Sequence, residues 1–211
     1  ASDLVVAAHP EIVPGAFDEI PSSRCHAWLV GCGLGTDETA AHALDAVLRR
    51  TEPIVVDADA ITLLADRAPL RELLASRAAP TLLTPHAGEA ARLARGLGCV
   101  IDLDADRLGA AQTLARITGA VVLLKGPTTL VTDGTQFRAT PLLGAQLATA
   151  GSGDVLAGLV AGATARWAAA GDFDSRAMMD LAAAAALRHA AAALPQDTIA
   201  SDLLDGLDQG E

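Results

Sequence analysis

Four short apolar runs, the first three each followed by a stretch of helix length, constrain this chain more than any other feature. They occupy residues 27–30, 54–56, 81–83 and 120–124. A strand with one wet face alternates apolar and polar residues, whereas an uninterrupted Val/Ile/Leu run predicts burial on both faces. Strands of that kind joined by helices predict an α/β fold, with a mostly parallel sheet covered on both sides. After the fourth run, residues 129–132, an Asp133-Gly134 turn and residues 136–139 predict a β-hairpin. With 211 residues and 51% hydrophobic content, the chain can bury the core such a sheet needs within a single domain over 1–211.

Helices are predicted through Ala40, Leu44, Val47 and Leu48 with Thr36 or Asp37 as cap, and from Asp59 on to about Ala79. Others start in the Thr84 segment with Pro85 in the first turn, and run over 104–118 and 155–170. Residues 175–194 and 199–207 read as closing helices, His189 being a packing residue among alanines. Residues 9–21, with three prolines, read as loop. The apolar run 4–8 has no turn or helix before it, so the chain is expected to begin inside a structural unit.

In open parallel sheets, ligands bind at the carboxyl ends of the strands. Four polar or glycine-rich segments fall there: 31–35, 57–59, 84–89 and 125–129. Gly31, Gly33 and Gly35, with Asp57 ending the next strand, mimic a dinucleotide fingerprint, but the third glycine belongs at 36, where a threonine stands. Asp57 and Asp59 suit Mg²⁺ held through water, or equally a helix cap. Capping by Thr84 leaves the imidazole of His86 and the carboxylate of Glu89 unexplained, which favours a site. Lys125, Gly126, Pro127, Thr128 and Thr129 combine a cation, bare backbone and two hydroxyls, suited to a nucleotide's phosphates or ribose.

A fifth segment lies further on. Gly151, Ser152 and Gly153 run into an Ala-rich helical stretch, the build of an anion cradle at a helix N-terminus. Asp154 follows in the first turn, where the helix dipole favours a carboxylate, so a base stands beside a bound phosphoryl group. The pairing points to phosphoryl transfer to a hydroxyl. Capping with packing glycines is the plainer reading of the same residues.

The balance of 15 basic against 26 acidic residues, net −11, argues against a nucleic-acid or anionic-membrane surface. A phosphate site must therefore be built locally. Cys25, Cys32 and Cys99 show no ligand spacing, so no cysteine-bound metal is expected and reduced thiols in a cytoplasm are. No apolar tract reaches spanning length and no basic leader is evident, which agrees with a cytoplasmic protein.

The segments VVDADAI (55–61), LTPHAGEAARL (83–93), VVLLKGPTTLV (121–131) and ATAGSGDVLAGL (148–159) resemble, in this order and spacing, the ADP-dependent (S)-NAD(P)H-hydrate dehydratases of the ribokinase-like superfamily. The resemblance covers nearly the whole chain. It implies a ribokinase-like three-layer αβα sandwich. It implies dehydration of (6S)-hydrated NADH or NADPH to the normal cofactor, a lyase reaction of metabolite repair that uses ADP and releases AMP and phosphate. Phosphorylation makes the C6 hydroxyl a leaving group that the ring nitrogen's lone pair expels. By the same resemblance Asp154 takes the hydroxyl proton, and the amides of Gly151, Ser152 and Gly153 stabilise the phosphoryl group. Lys125, Gly126, Pro127, Thr128, Thr129 and Gly153 hold the adenine nucleotide, and Gly33, His86 and Asp154 face the hydrate. Mg²⁺ held through water by Asp57, Asp59 and Glu89, a homo-oligomer and a linked epimerase domain belong to the same expectation.

The chain departs from the family in three places. Cys32 stands where the family's glycine turn carries proline, and Ala150 where glycine is common. The family's first strand, glycine-rich loop and helix have no counterpart ahead of residue 4, so the domain is expected to be N-terminally incomplete. Two other functions share the anion cradle: an ATP-dependent kinase of a vitamin or small alcohol, and a non-catalytic nucleotide-binding protein. Such kinases commonly carry asparagine where His86 stands.

Overall fold

The computed structural model describes residues 2–141, 147–171, 173–193 and 200–208. Its centre is a six-stranded sheet in which sequence order is also spatial order: β1 (Trp28–Val30), β2 (Ile54–Val56), β3 (Thr81–Leu83), β4 (Val121–Leu124), β5 (Leu130–Thr132) and β6 (Phe137–Ala139). The first four are parallel, with Trp28 opposite Ile54 and Ile54 opposite Thr81. The hairpin β5–β6 joins β4 antiparallel, Leu123 facing Val131.

Alternation along each strand divides the core. Ile54, Val56, Leu83, Val122 and Leu124 point into one layer, built by α2 (Glu38–Leu48), α3 (Ala58–Asp66), α4 (Ala68–Ala75), α5 (Ala87–Gly96) and α6 (Arg107–Thr118). Val55, Leu82, Val121, Leu123 and Val131 point the other way, onto Leu156 and Val160 of α7 (Ser152–Ala169) and Met178, Met179 and Ala182 of α8 (Ser175–Ala191). Both faces are covered over β2, β3 and β4, as an unbroken aliphatic strand requires: each fully buried side chain of this kind stabilises the fold by about 1.5–3 kcal/mol. At the sheet's edge β1 departs from that expectation, Leu29 being 38% exposed. This is the three-layer αβα sandwich with a mostly parallel sheet that the resemblance implies. A short helix, α1 (Ser2–Ala8), precedes β1, and α9 (Ala200–Asp208) follows α8. Among the described residues no helix is long and apolar enough to cross a membrane.

Two local readings differ. Residues 9–21 are not all loop, since a 3₁₀ helix runs from Phe17 to Ser22, its entry held by the Ala16 amide donating to Glu19 Oε2 at 3.1 Å. The helical stretch to residue 79 is two helices, broken at Arg67 in extended conformation. Pro69 is the cause, because in a continuous helix its ring would meet the carbonyl of Ala65. That carbonyl and the Leu64 carbonyl instead accept from the Arg71 guanidinium, both at 2.8 Å. For the closing helices, the predicted ends at Leu194 and Ile199 lie outside the described residues.

Candidate active site

The carboxyl ends of β1 to β4 and the N-terminus of α7 meet in one crevice. At the end of β1, Gly31 has φ +126°, and a Cβ there would run into the Asp57 carbonyl oxygen. Only glycine lets the first turn cross so close to β2. Gly33, with φ +63°, has nothing within 4 Å of where a Cβ would stand, so its backbone borders open space. Gly35 donates its amide to Asp59 Oδ2 at 2.8 Å. Asp59 thus holds the glycine turn in place. Between the two aspartates, Ala58 is held at φ +48°, an uncommon conformation for a residue with a Cβ.

Asp57 stands at the N-cap position of α3 but caps nothing with its side chain. Only 1% exposed, it accepts instead from Lys125 Nζ at 2.8 Å, across the end of β3. Lys125 also lies 3.9 Å from Glu89 Oε2, and its backbone amide donates to the Pro85 carbonyl at 2.8 Å. Asp57 and Glu89 therefore converge on one cation, while Asp59 is engaged elsewhere.

His86 corrects the reading of the Thr84 segment. Thr84 is buried and its hydroxyl donates to the Val56 carbonyl, so it caps no helix. The N-cap of α5 is His86, and Pro85 precedes the cap rather than opening the first turn. His86 Nδ1 accepts from the amides of Gly88 (3.0 Å) and Glu89 (3.3 Å), and the Glu89 carboxylate returns to the His86 amide at 2.8 Å. Capping thus accounts for both residues at once. With Nδ1 an acceptor, Nε2 carries the proton, 3.5 Å from Glu89 Oε1 on a side chain 59% exposed. A cap residue can still present its outer nitrogen to a ligand.

At the start of α7, Gly151 takes the left-handed conformation, φ +85°. Ser152 turns inward: its hydroxyl donates to the Leu147 carbonyl at 2.7 Å and its amide to the Thr149 carbonyl at 3.3 Å. The anion cradle read from 151–153 therefore rests on other amides, since among the described residues nothing accepts from Gly153 or Asp154 N–H. A Cβ on Gly153 would lie 3.3 Å from Lys125 Nζ, which joins the helix N-terminus to the lysine loop. That loop is pinned from behind by Arg107, which donates to the carbonyls of Lys125 (3.2 Å) and Thr128 (3.4 Å) and packs against Gly126. Thr129 is buried and its amide donates to Thr140 Oγ1 at 3.0 Å. Gly126 and Pro127 are exposed along the rim.

Cys32 closes the circle. Its sulfur and one carboxylate oxygen each of Asp57 and Asp154 lie within 4.8 Å of one another. Although Cys32 as a residue is exposed, desolvation of its sulfur first, then a hydrogen bond to Asp154 and the charges of Asp57 and Asp154, push the thiol up to about 12, against the opposing pull of Lys125. The contacts now run unbroken from His86 through Glu89, Lys125 and Asp57 to Cys32 and Asp154.

A cleft of about 290 Å³ extends from Lys125 between the 125–129 loop and α7, walled by Pro127, Leu147, Leu156 and the buried His189. A larger hollow of about 820 Å³ lies at the amino ends of the strands, beside Arg49, Arg50 and Arg77. Those guanidiniums are taken up by Asp45, Glu52 and backbone carbonyls, so the hollow offers a ligand little charge. Sequence reasoning missed Cys32, Arg107 and His189 as parts of the site. The nearest signal for Cys32 was its place inside the glycine turn; an isolated arginine and a histidine among alanines carry none.

Three comparisons bear on this arrangement. The family model of the NAD(P)H-hydrate dehydratases matches residues 6–204. The bifunctional NAD(P)H-hydrate repair enzyme Nnr of Mycobacterium tuberculosis is 46% identical over 157 residues, covering 74% of this chain and 31% of that protein. The ADP-dependent (S)-NAD(P)H-hydrate dehydratase of Neisseria meningitidis serogroup B is 42% identical over 161 residues, covering 74% and 53%. The chain thus spans a third to a half of these relatives. The ADP/ATP-dependent NAD(P)H-hydrate dehydratase of Bacillus subtilis, co-crystallised with ATP/Mg²⁺ and soaked with CoA, superposes with a TM-score of 0.78 at 25% identity, over 98% of this chain and 75% of that one.

Proposed function

This chain belongs to the NAD(P)H-hydrate dehydratase family, and from that premise we propose that it dehydrates (6S)-hydrated NADH or NADPH at the expense of ADP. One observation carries the proposal: Gly153 lies against Lys125 Nζ, so the amides and carboxylate at the start of α7 share a crevice with the lysine loop, Asp57 and His86. A site of that shape can hold a phosphoryl group next to a base.

In the proposed reaction Asp154 takes the proton of the C6 hydroxyl, and the oxygen attacks the β-phosphorus of ADP as AMP departs. The Gly153 and Asp154 amides and Lys125 stabilise the charge that develops on the phosphoryl oxygens. The ring nitrogen's lone pair then breaks the C6–O bond, phosphate leaves, and loss of a C5 proton restores the double bond. Lys125 to Thr129 and Gly153 hold the nucleotide. The open backbone at Gly33 and the protonated Nε2 of His86 face the hydrate. The donor set suits a hydrated Mg²⁺ more than a bare one: Asp57 and Glu89 are hard carboxylates aimed at one place but already shared with Lys125. Such an ion would neutralise phosphate charge. A cytoplasmic location and a homo-oligomer belong to the same proposal.

The test is incubation of the protein with hydrated NADH and either ADP or ATP, following the near-ultraviolet absorbance of reduced nicotinamide. Recovery of absorbance with AMP and phosphate formed in equal amounts is the expected result. No recovery, together with ATP consumption on a vitamin alcohol, would replace the proposal with a kinase.

A further inference from the structure

We propose that His189 reads the base of the nucleotide, its imidazole hydrogen-bonding the adenine ring of ADP in the cleft beside Lys125; the inference rests on ADP being the nucleotide bound there.

His189 lies in the last turn of α8 and is 4% exposed. Its Nε2 is buried with no hydrogen-bond partner among the described residues. Buried polar nitrogens are nearly always paired, so an orphan on the wall of a cleft calls for a partner that arrives with a ligand. The cleft has two unlike ends. At one stand Lys125 and Gly153, suited to phosphates. The rest of the wall is Pro127, Leu147 and Leu156, apolar surfaces that suit a flat heteroaromatic ring. Ser152 Oγ is already taken by the Leu147 carbonyl, which leaves Thr129 and His189 to meet the polar edge of such a ring.

The imidazole is suited to the task. Burial pushes its basicity below the ordinary histidine value, against a weaker upward pull from a hydrogen bond to the Ser152 backbone, so the ring is neutral and Nε2, as donor or acceptor, is the nitrogen left for a ligand. Adenine carries an exocyclic amine and ring nitrogens that match either. A charged histidine would instead have been drawn to the phosphates.

The experiment measures binding of ADP and of inorganic pyrophosphate to the wild type, His189→Leu and His189→Gln by calorimetry, with ¹⁵N spectra of the His189 ring in the wild type. His189→Leu should weaken ADP on the order of tenfold, the worth of one hydrogen bond to a buried group. Pyrophosphate, which reports only the cradle and Lys125, should bind both proteins alike, and glutamine should restore part of the loss. The ring nitrogens of His189 should shift on adding ADP and not on adding pyrophosphate, a readout that needs no variant to fold. Unchanged ADP affinity in the leucine variant, equal losses for ADP and pyrophosphate, or an unmoved ring each overturn the inference while leaving the proposed reaction intact. Absence of ADP binding to the wild type overturns both.

Discussion

Lys125 Nζ stands 2.8 Å from Asp57 Oδ1, although 68 residues separate them in the chain. The two side chains close over the end of β3 from the ends of β2 and β4, and Glu89 approaches the same ammonium from α5. This pair organises the site's electrostatics.

Because Asp57 is almost fully buried and Lys125 only 19% exposed, removing the cation strands a carboxylate. Lys125→Met is expected to destabilise the protein by about 3 kcal/mol, and Lys125→Met with Asp57→Asn by clearly less. Urea unfolding of the four proteins of this cycle checks it, and equal losses in the single and double variants would show that the pairing is not what matters.

Asp154→Asn should lower turnover of the hydrated cofactor about 10²-fold or more while ADP affinity is kept. Steady-state rates and calorimetry on the same preparation separate the two. A variant that turns over like the wild type removes Asp154 from the chemistry.

The two glycines of the first turn should respond differently. Gly31→Ala forces a methyl into the Asp57 carbonyl and is expected to cost several kcal/mol or prevent folding. Gly33→Ala meets no neighbour, so only its positive φ penalises it, by about 1–2 kcal/mol, and the added methyl should appear chiefly as a raised KM for the hydrate. Thermal melts and Michaelis curves decide.

Cys32 should alkylate slowly. With the thiol pushed up to about 12, roughly one molecule in 10⁴ is thiolate near pH 8, and the rate should climb about tenfold per pH unit with no plateau below about pH 11. Asp154→Asn withdraws a negative charge that helps hold the proton on sulfur and adds an N–H that can donate to a thiolate, so Cys32 should then react faster at the same pH. Peptide mass spectrometry after iodoacetamide treatment reads both rates.

His86 has a structural duty that can be separated from its other one. His86→Ala should lose about 1 kcal/mol of stability with the cap, whereas His86→Asn keeps a good cap residue and should keep the stability. If His86 also faces the hydrate, both variants lose kcat/KM alike. Unchanged kinetics in His86→Asn would confine the residue to capping.

The Thr84 segment holds a cap that local sequence does not mark. Threonine is a common cap and histidine a rare one, so composition points to Thr84. In three dimensions Thr84 is held by β2 through its hydroxyl, and the helix begins two residues later on an imidazole. Ser152 is similar. The sequence places it in a glycine-rich anion motif, but its position one residue past the left-handed Gly151 turns both its donors toward Leu147 and Thr149.

What the sequence by itself determined is the layering and the location of chemistry. A doubly buried strand admits few polar residues, Thr81 and Thr132 being the buried exceptions, so the apolar runs marked the strands to within one residue. Polar and glycine segments at their carboxyl ends could only gather along one edge of the sheet. What tertiary structure alone decided is who partners whom within that edge. Asp57 serves Lys125 and Asp59 serves Gly35, Cys32 stands beside Asp154, and His189 is buried with an unpaired nitrogen on the wall of a cleft. The reason is that strand pairing and burial are set by local patterns a few residues long, whereas hydrogen-bond partners and desolvation depend on distances across neighbouring strands and helices, which no local pattern encodes.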